Sequence, residues 1–239
     1  MNEKYIEELK ILRERLPIGI RHGLTLLEKT NGGIEEAEKL FQEEMIAHTA
    51  GKAGVSADIA ARHLEKSNFD VGRAVQSIDE ERYTLTELIL RRCKDRKEEA
   101  LDIIAAAAFE AHDIPWDFRV PEGLSLPREV YCVLTVLGWI NYVDWEGFDV
   151  ALSAELDIVT VQIENVLSLP ELAENLRRAS AIQELKFERS KNIKDYVKAT
   201  NELRKNEIYQ ECENYYEEQR SVLIDRLYKL IADNIKVFP

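Results

Sequence analysis

Glycine and proline are scarce in this sequence, with only 10 and 6 in 239 residues, and long apolar runs are absent. The longest candidates for a membrane span, such as residues 103–109, are far too short to cross a bilayer. The polar start of the chain is unlike a signal peptide. Hydrophobic residues nevertheless make up 45% of the chain. We therefore expect a folded, helix-rich protein in the cytoplasm, without a membrane partner.

Cysteine is also scarce, and the three cysteines are Cys93, Cys132 and Cys212. A disulfide framework or a zinc knuckle needs cysteines in closely spaced pairs, so this spacing favours reduced thiols. Basic neighbours could make Cys93 reactive, but an inert, partly buried thiol is the simpler interpretation. The four histidines show no diagnostic ligand spacing, and we expect neither a metal nor a cofactor.

No third of the chain is net basic. Residues 1–90 carry 12 basic and 17 acidic side chains, residues 91–180 carry 9 and 17, and residues 181–239 carry 11 of each, for a net charge of −13. The basic run at 91–97 is interrupted by an acidic residue and followed by two more, which is typical of a solvated helix face. A protein that binds phosphate backbones needs a positive surface, so a nucleic-acid partner is not expected.

A short pattern occurs twice near the amino end. Residues 27–37 and 64–74 share Leu-Glu-Lys, then a hydroxyl residue and Asn, and both end in a β-branched residue with Ala three positions later. Gly32 and Gly33 can adopt the left-handed conformation that ends a helix, and Asp70 is a good N-cap. The repeat predicts two similar helical units, although similar loops could also arise by accident in an ordinary bundle.

The fold class predicted from this pattern is all-α. Within residues 1–83 we expect tandem three-helix units that share their central helix, so that the two are rigidly docked. The five predicted helices are Lys4–Arg15, Ile20–Thr30, Ile34–Thr49, Ala57–Ser67 and Val71–Ile78.

The same residues carry a family resemblance. Residues 12–37 resemble the N-terminal ubiquitin-associated (UBA-like) domain of elongation factor Ts, with a Leu-Arg start, a Gly-containing loop and a helix that ends before Asn-Gly-Gly-Ile. Residues 54–74 look more like the UBA-like domain of the nascent polypeptide-associated complex alpha subunit. Elongation factor Ts continues into a mixed core domain that exchanges nucleotides, whereas this chain continues into helices. The resemblance implies a protein-binding module rather than an exchange factor.

The resemblance also implies a class of partner and a surface. Such modules engage elongation factor Tu, ribosome-associated proteins or ubiquitin, through a loop between the first two helices and an apolar pair on the third. Each matching residue is also a plausible core residue, and core packing is the commoner role. The matching positions here are Ile18, Gly19, Ile20, Leu40, Phe41 and Val55.

Residues 84–180 are predicted to form a helical domain. Periodic apolar residues indicate one or two helices over 85–109 and a buried helix over Arg128–Tyr142. The Pro-rich segment 113–127 reads as a domain boundary or structured loop. Residues 158–163 alternate like a strand, but no partner strand is evident, so we interpret 152–167 as helix.

Aromatic and acidic residues concentrate in this middle region. They could form an acidic, aromatic-lined groove for a basic partner, or an aromatic core capped by acidic helix starts, and the core is the commoner arrangement. The residues that would form such a second interface are Trp116, Asp144, Trp145 and Glu146.

Residues 181–239 are predicted to form a helical hairpin or coiled coil with a break near Lys205-Asn206. It would pack on the body or pair two copies in a homodimer. With no catalytic motif in view, we expect a cytosolic adaptor or regulatory protein rather than an enzyme. The alternatives are an acidic neutraliser of a basic protein, comparable to an immunity protein or antitoxin, and a small helical enzyme with its site in 113–149.

Overall fold

The computed structural model describes residues 3–115, 124–188 and 192–239. Its elements are helices throughout, and none of the described residues belongs to a strand. The predicted all-α class is therefore confirmed. The chain divides into two compact units, Met1–Thr84 and Leu85–Pro239. The first predicted domain boundary, after residue 83, lies within one residue of this division.

Five α-helices form the N-terminal unit after a 3-10 turn at Glu3–Tyr5. The central helix α3 contacts each of the other four helices of this unit. All five predicted helix positions agree with the observed helices, and the largest differences are at the ends of α3 and α5, which run four residues further than expected. The helices are α1 Ile6–Arg15, α2 Ile20–Lys29, α3 Ile34–Ala53, α4 Ala57–Lys66 and α5 Val71–Arg82.

The loops α2–α3 and α4–α5 share one hydrogen-bond pattern at the spacing of the sequence repeat. The Gly32 amide donates to the Leu27 carbonyl and the Phe69 amide to the Leu64 carbonyl, each at 2.8 Å. The backbone φ is +51° at both Asn31 and Asn68, and it is also positive at the next residue in each loop. The left-handed residues are thus Asn31 and Gly32, whereas Gly33 has φ −71° and caps α3, contrary to prediction. Asn and Gly tolerate this conformation better than most residues, whereas the bulky Phe69, at φ +58°, rarely adopts it.

The described part of the C-terminal unit contains eight α-helices. Apolar side chains of α8 are buried on nearly all sides, as predicted, so this helix lies in the middle of the core. Where one or two helices are predicted over 85–109, the structure has two. The helices are α6 Leu85–Arg92, α7 Lys97–Ala111, α8 Arg128–Glu146, α9 Phe148–Ala151, α10 Leu156–Asn165, α11 Pro170–Phe187, α12 Ile193–Leu203 and α13 Glu207–Asp233.

The strand-like segment 158–163 is helical, as we interpreted it. Buried residues on α10 recur at Leu156, Val159, Thr160 and Ile163, which is the spacing of one helix face. The alternation of β-branched residues therefore does not determine the local structure, because packing against α8 and α11 favours the helix. Of the Pro-rich segment 113–127, residues 116–123 lie outside the described part of the chain.

The predicted division after residue 180 is wrong. Helix α11 runs continuously through that position, and α13 packs against α7, α8 and α11. Buried residues of α13, among them Tyr209, Tyr216 and Leu227, belong to the same core as α8. A break does occur near 205, where Asn206 caps α13 by accepting a hydrogen bond from the Tyr209 amide. The last quarter of the chain is therefore part of one helical unit, because its apolar stripe is needed to complete the core.

Candidate protein-interaction surfaces

Two of the residues predicted for the N-terminal docking surface are core residues. The side chains of Ile18 and Phe41 are buried and share a cluster with Leu9, Leu12 and Leu26. A face closed in this way cannot contact a partner without unfolding the unit. The assignment of Ile18 and Phe41 to a docking surface is therefore corrected, and the commoner role of such residues applies.

Gly19 and Ile20 occupy the exposed start of α2. Gly19 is the N-cap residue, and a methyl group added there would meet nothing within 4 Å. The Ile20 side chain, the first of α2, is 50% exposed. Since an N-terminal helix turn also leaves backbone amides without intrahelical partners, this end of α2 offers an apolar anchor next to hydrogen-bond donors.

Leu40 and Val55 are half-buried, so the structure gives them a mixed role. Leu40 packs against the N-terminal core with part of its side chain. Val55 follows Gly54, which has φ +62° and ends α3. The Val55 amide donates to the Ala50 carbonyl at 3.2 Å. Val55 therefore belongs to the turn that starts the second half of the unit.

A polar cluster joins α2 to α3 close to the start of α2. His22 Nε2 lies 2.7 Å from Glu44 Oε2, and Lys29 Nζ lies 3.4 Å from the other carboxylate oxygen. The hydrogen bond from His22 is the main cause that lowers the pKa of Glu44. Although His48 lies one helical turn after Glu44, the histidine partner of Glu44 is His22.

An equivalent cluster joins α4 to α5. Glu81 lies 37 positions after Glu44, and its oxygens are 3.0 Å from His63 Nε2 and 3.0 Å from Arg62. The other ring nitrogen of the buried His63 lies 3.0 Å from Ser77 Oγ. In both halves one glutamate binds a histidine and a basic residue of the preceding helix. Only the 37-residue spacing of the two glutamates signals this in the sequence.

The residues predicted for the second interface do not share one structural role. Trp116 lies outside the described residues. Trp145 is 72% exposed at the end of α8, and Glu146 beside it is also exposed. Asp144 is already engaged, because Arg220 of α13 donates to it at 2.8 Å and to Glu98 of α7 at 2.8 Å. These bonds raise the pKa of Arg220 and tie three helices together.

Other aromatic residues of the middle region form a core. Trp139 and Phe148 are buried against Tyr209 and Tyr216, with ring centroids 5.4 to 6.0 Å apart. Trp139 Nε1 donates to the Ala151 carbonyl at 2.9 Å. The hydroxyls of Tyr209 and Tyr216 are buried without a hydrogen-bond partner among the described residues. Burial raises the pKa of both phenols.

The described residues give little support for a metal site or a reactive thiol. Within 3–115, 124–188 and 192–239, no group of three or more His, Cys, Asp or Glu side chains could hold a metal ion. All three cysteines are free and buried, and burial raises the pKa of Cys132 to about 12. In the part of the chain that the structure describes, no helix is both long enough and apolar enough to cross a membrane.

One apolar surface was missed by the sequence analysis. Ile193 and Val197 of α12 are exposed side chains, with Tyr196 between them. About half of the surface of Tyr196 is accessible. The signal in the sequence is the helical period of this segment, which places apolar residues on two faces of the short helix α12.

Comparison with known proteins places the chain in a family. The YfbN C-terminal domain family matches residues 84–236, which closely follows the C-terminal unit. Escherichia coli (strain K12) YfbN is 32% identical over 246 residues, covering 99% of this chain and 96% of the relative. No solved structure matches the chain. The chain therefore belongs to the YfbN family.

Proposed function

We propose that this protein is an adaptor or regulatory protein whose N-terminal unit docks a protein partner at the start of α2. The observation that carries the proposal is the exposed Gly19-Ile20 pair on a unit whose loops repeat every 37 residues. The C-terminal unit, with its single large core, serves as the scaffold.

The repeated geometry supports a tandem UBA-like organisation. The matched loop hydrogen bonds, the two Asn residues at φ +51° and the glutamates of the two polar clusters recur at one spacing, whereas the histidines that these glutamates bind are 41 positions apart. Three-helix units of this type bind proteins, so the resemblance favours a translation-associated partner, with ubiquitin as the weaker candidate. Elongation factor Tu and ribosome-associated proteins are the translation-associated candidates.

The start of α2 has the composition of a small binding site. Ile20 supplies an exposed apolar anchor, and His22 with Glu44 supplies a polar pair two residues further along α2. Interfaces commonly combine an apolar centre with a polar rim, and a few central residues carry most of the binding energy. Leu40 and Val55 would add contact area through their accessible halves only.

Affinity capture with matched variants tests this proposal. Bait carrying Ile20→Asp should lose the captured protein, because a charge would enter the apolar contact, while Gly19→Ala should fold normally. The matched control is Ile103→Asp, an exposed isoleucine of α7 in the other unit. Mass spectrometry of the captured material identifies the partner. Equal capture by wild type and Ile20→Asp would exclude this surface.

A neutraliser of a basic protein is the second candidate. It is favoured by the exposed Trp145 next to Glu146 on a chain of net charge −13. Binding of this kind should weaken steeply with salt and with Glu146→Lys. Asp144 is unsuitable for this test, because its replacement would also break the Arg220 ion pairs.

The enzyme hypothesis has weaker support. Of the aromatic residues between 113 and 149, Trp139 and Phe148 are buried core residues rather than the walls of a groove. We accordingly propose a non-enzymatic role. We also propose a cytoplasmic location, which the three free, buried thiols support because such thiols persist in reducing compartments.

A further inference from the structure

Helix α12 presents an apolar face to solvent. Ile193 is 82% exposed, and Tyr196 and Val197 follow at the i+3 and i+4 positions, which lie on the same side of a helix. The Tyr196 ring stacks on Phe187 of α11 with centroids 4.6 Å apart. Three adjacent apolar side chains with a supported aromatic ring in the middle form a contiguous patch, the α12 face.

Ile193 and Val197 of this face are separate from the residues that hold α12 in place. Ala199 and Leu203 are buried, and α12 packs on α11. Asn192 caps the helix by accepting hydrogen bonds from the amides of Lys194 and Asp195. The side chains of Ile193 and Val197 are therefore not needed to hold the helix in place.

Charged residues of α12 collect on the opposite flank. Asp195, Lys198 and Glu202 line a groove with Leu185 and Lys186 of α11. Lys186 and Lys198 each lie 3.9 Å from Glu202. The α12 helix carries two basic and two acidic side chains, so it has no net charge, although the whole chain carries −13.

We propose that the α12 face is covered by a second copy of this chain. An isologous contact brings a patch against itself, so it must be apolar or balanced in charge, as α12 is. Two copies that each carry −13 repel one another over most of their surface, and they repel least where the charge is balanced, as it is over residues 181–239. A strongly charged partner would instead select a patch of opposite sign.

The size of the patch sets the geometry of the dimer. A standard interface buries about 800 Å² on each partner, which is more than three side chains supply. The contact would therefore extend along α12 on both sides of Tyr196, with the aromatic ring near the centre, where binding energy concentrates.

The mass of the purified full-length chain tests the proposal. Light scattering after size exclusion should give twice the monomer mass of 27.6 kDa. The double variant Ile193→Asp with Val197→Asp should give 27.6 kDa, with an unchanged circular dichroism spectrum. The matched control Leu185→Asp changes a side chain that is 72% exposed but lines the groove, and it should remain a dimer. Because like charges repel between copies, added salt should tighten the wild-type dimer.

Disulfide cross-linking through an introduced cysteine tests the proposal even if the double variant folds poorly. The three native cysteines are buried, so an introduced surface cysteine is the accessible thiol. Val197→Cys should form a disulfide-linked dimer under mild oxidation, in which two thiols lose two electrons to the added oxidant, and Leu185→Cys should not. A wild-type chain of monomer mass at high concentration, or equal cross-linking at both positions, would overturn the proposal. The former result would assign the face to a different partner.

Discussion

The N-terminal unit packs mainly leucine side chains together with Phe41, whereas the C-terminal unit surrounds the buried helix α8 with aromatic rings from α9 and α13. In the first unit, one pair between a histidine and a glutamate joins α2 to α3, and another joins α4 to α5. In the second, a single apolar core extends from Ile89 to Phe238. Each unit leaves an isoleucine exposed at the start of a helix, such as Ile20 in the first and Ile193 in the second. We therefore propose partner docking at the first unit and contact with a second copy at the second.

The largest effect should come from the aromatic core. Trp139→Ala removes a buried ring and the hydrogen bond to the Ala151 carbonyl, so the free energy of unfolding of the C-terminal unit should fall by about 3–5 kcal/mol. The control Trp145→Ala truncates an exposed indole and should change it by less than about 0.5 kcal/mol. Urea unfolding followed by hydrogen exchange reports each unit separately. Similar losses for the two tryptophans would contradict the assignment of Trp139 to the core.

A matched leucine pair tests whether the two halves of the N-terminal unit are equivalent. Leu27 and Leu64 are both fully buried and occupy the same position of the repeat. Leu27→Ala and Leu64→Ala should each lower the free energy of unfolding by about 2–5 kcal/mol, with the loss confined to the N-terminal unit. Thermal unfolding of both variants gives the comparison. If one substitution is nearly neutral, the halves do not share one packing arrangement.

Buried tyrosine hydroxyls sharpen the description of the C-terminal core. Tyr216→Phe removes a hydroxyl without a partner among the described residues, so the free energy of unfolding should stay constant or rise by up to about 1 kcal/mol. Tyr228 Oη donates to the Leu90 carbonyl at 3.2 Å, and Tyr228→Phe should instead cost about 1 kcal/mol. Chemical denaturation measures whether each substitution raises or lowers the free energy of unfolding. A destabilised Tyr216→Phe protein would show that its hydroxyl has a partner.

The smallest effect concerns the polar seam of the N-terminal unit. The pKa of Glu44 is lowered chiefly by the hydrogen bond from His22, so His22→Phe should raise this pKa toward its ordinary value of 4.5. A lowered carboxyl pKa contributes stability above the unfolded pKa, and the contribution is lost as the pH falls through the folded pKa. Carboxyl carbon shifts from an NMR titration measure the pKa of Glu44 in the wild-type chain and in His22→Phe. Because the pair is partly exposed, solvent screening keeps its effect on stability small, and an unchanged Glu44 pKa in His22→Phe would contradict it.

Sequence periodicity predicts where the helices lie but not which of their side chains are exposed. Local signals such as Asp70 as an N-cap and the apolar spacing in 128–142 predicted the elements, because these signals depend on neighbouring residues. Ile18 and Ile20 look alike in the sequence, yet one is buried and the other exposed, since the turn before α2 sends them to opposite sides. The ion pairs of Arg220 join residues 122 and 76 positions apart, and no local pattern indicates them.

Hydrogen exchange on the chain, alone and with the protein that it captures, tests the central claim most directly. The first amides of α2, at residues 20–22, lack intrahelical acceptors and should exchange fast in the free chain. If the partner docks at the start of α2, these amides should become protected in the complex, while residues 143–147 exchange as before. Protection at 143–147 with none at 20–22 would contradict the claim that the N-terminal unit carries the docking surface.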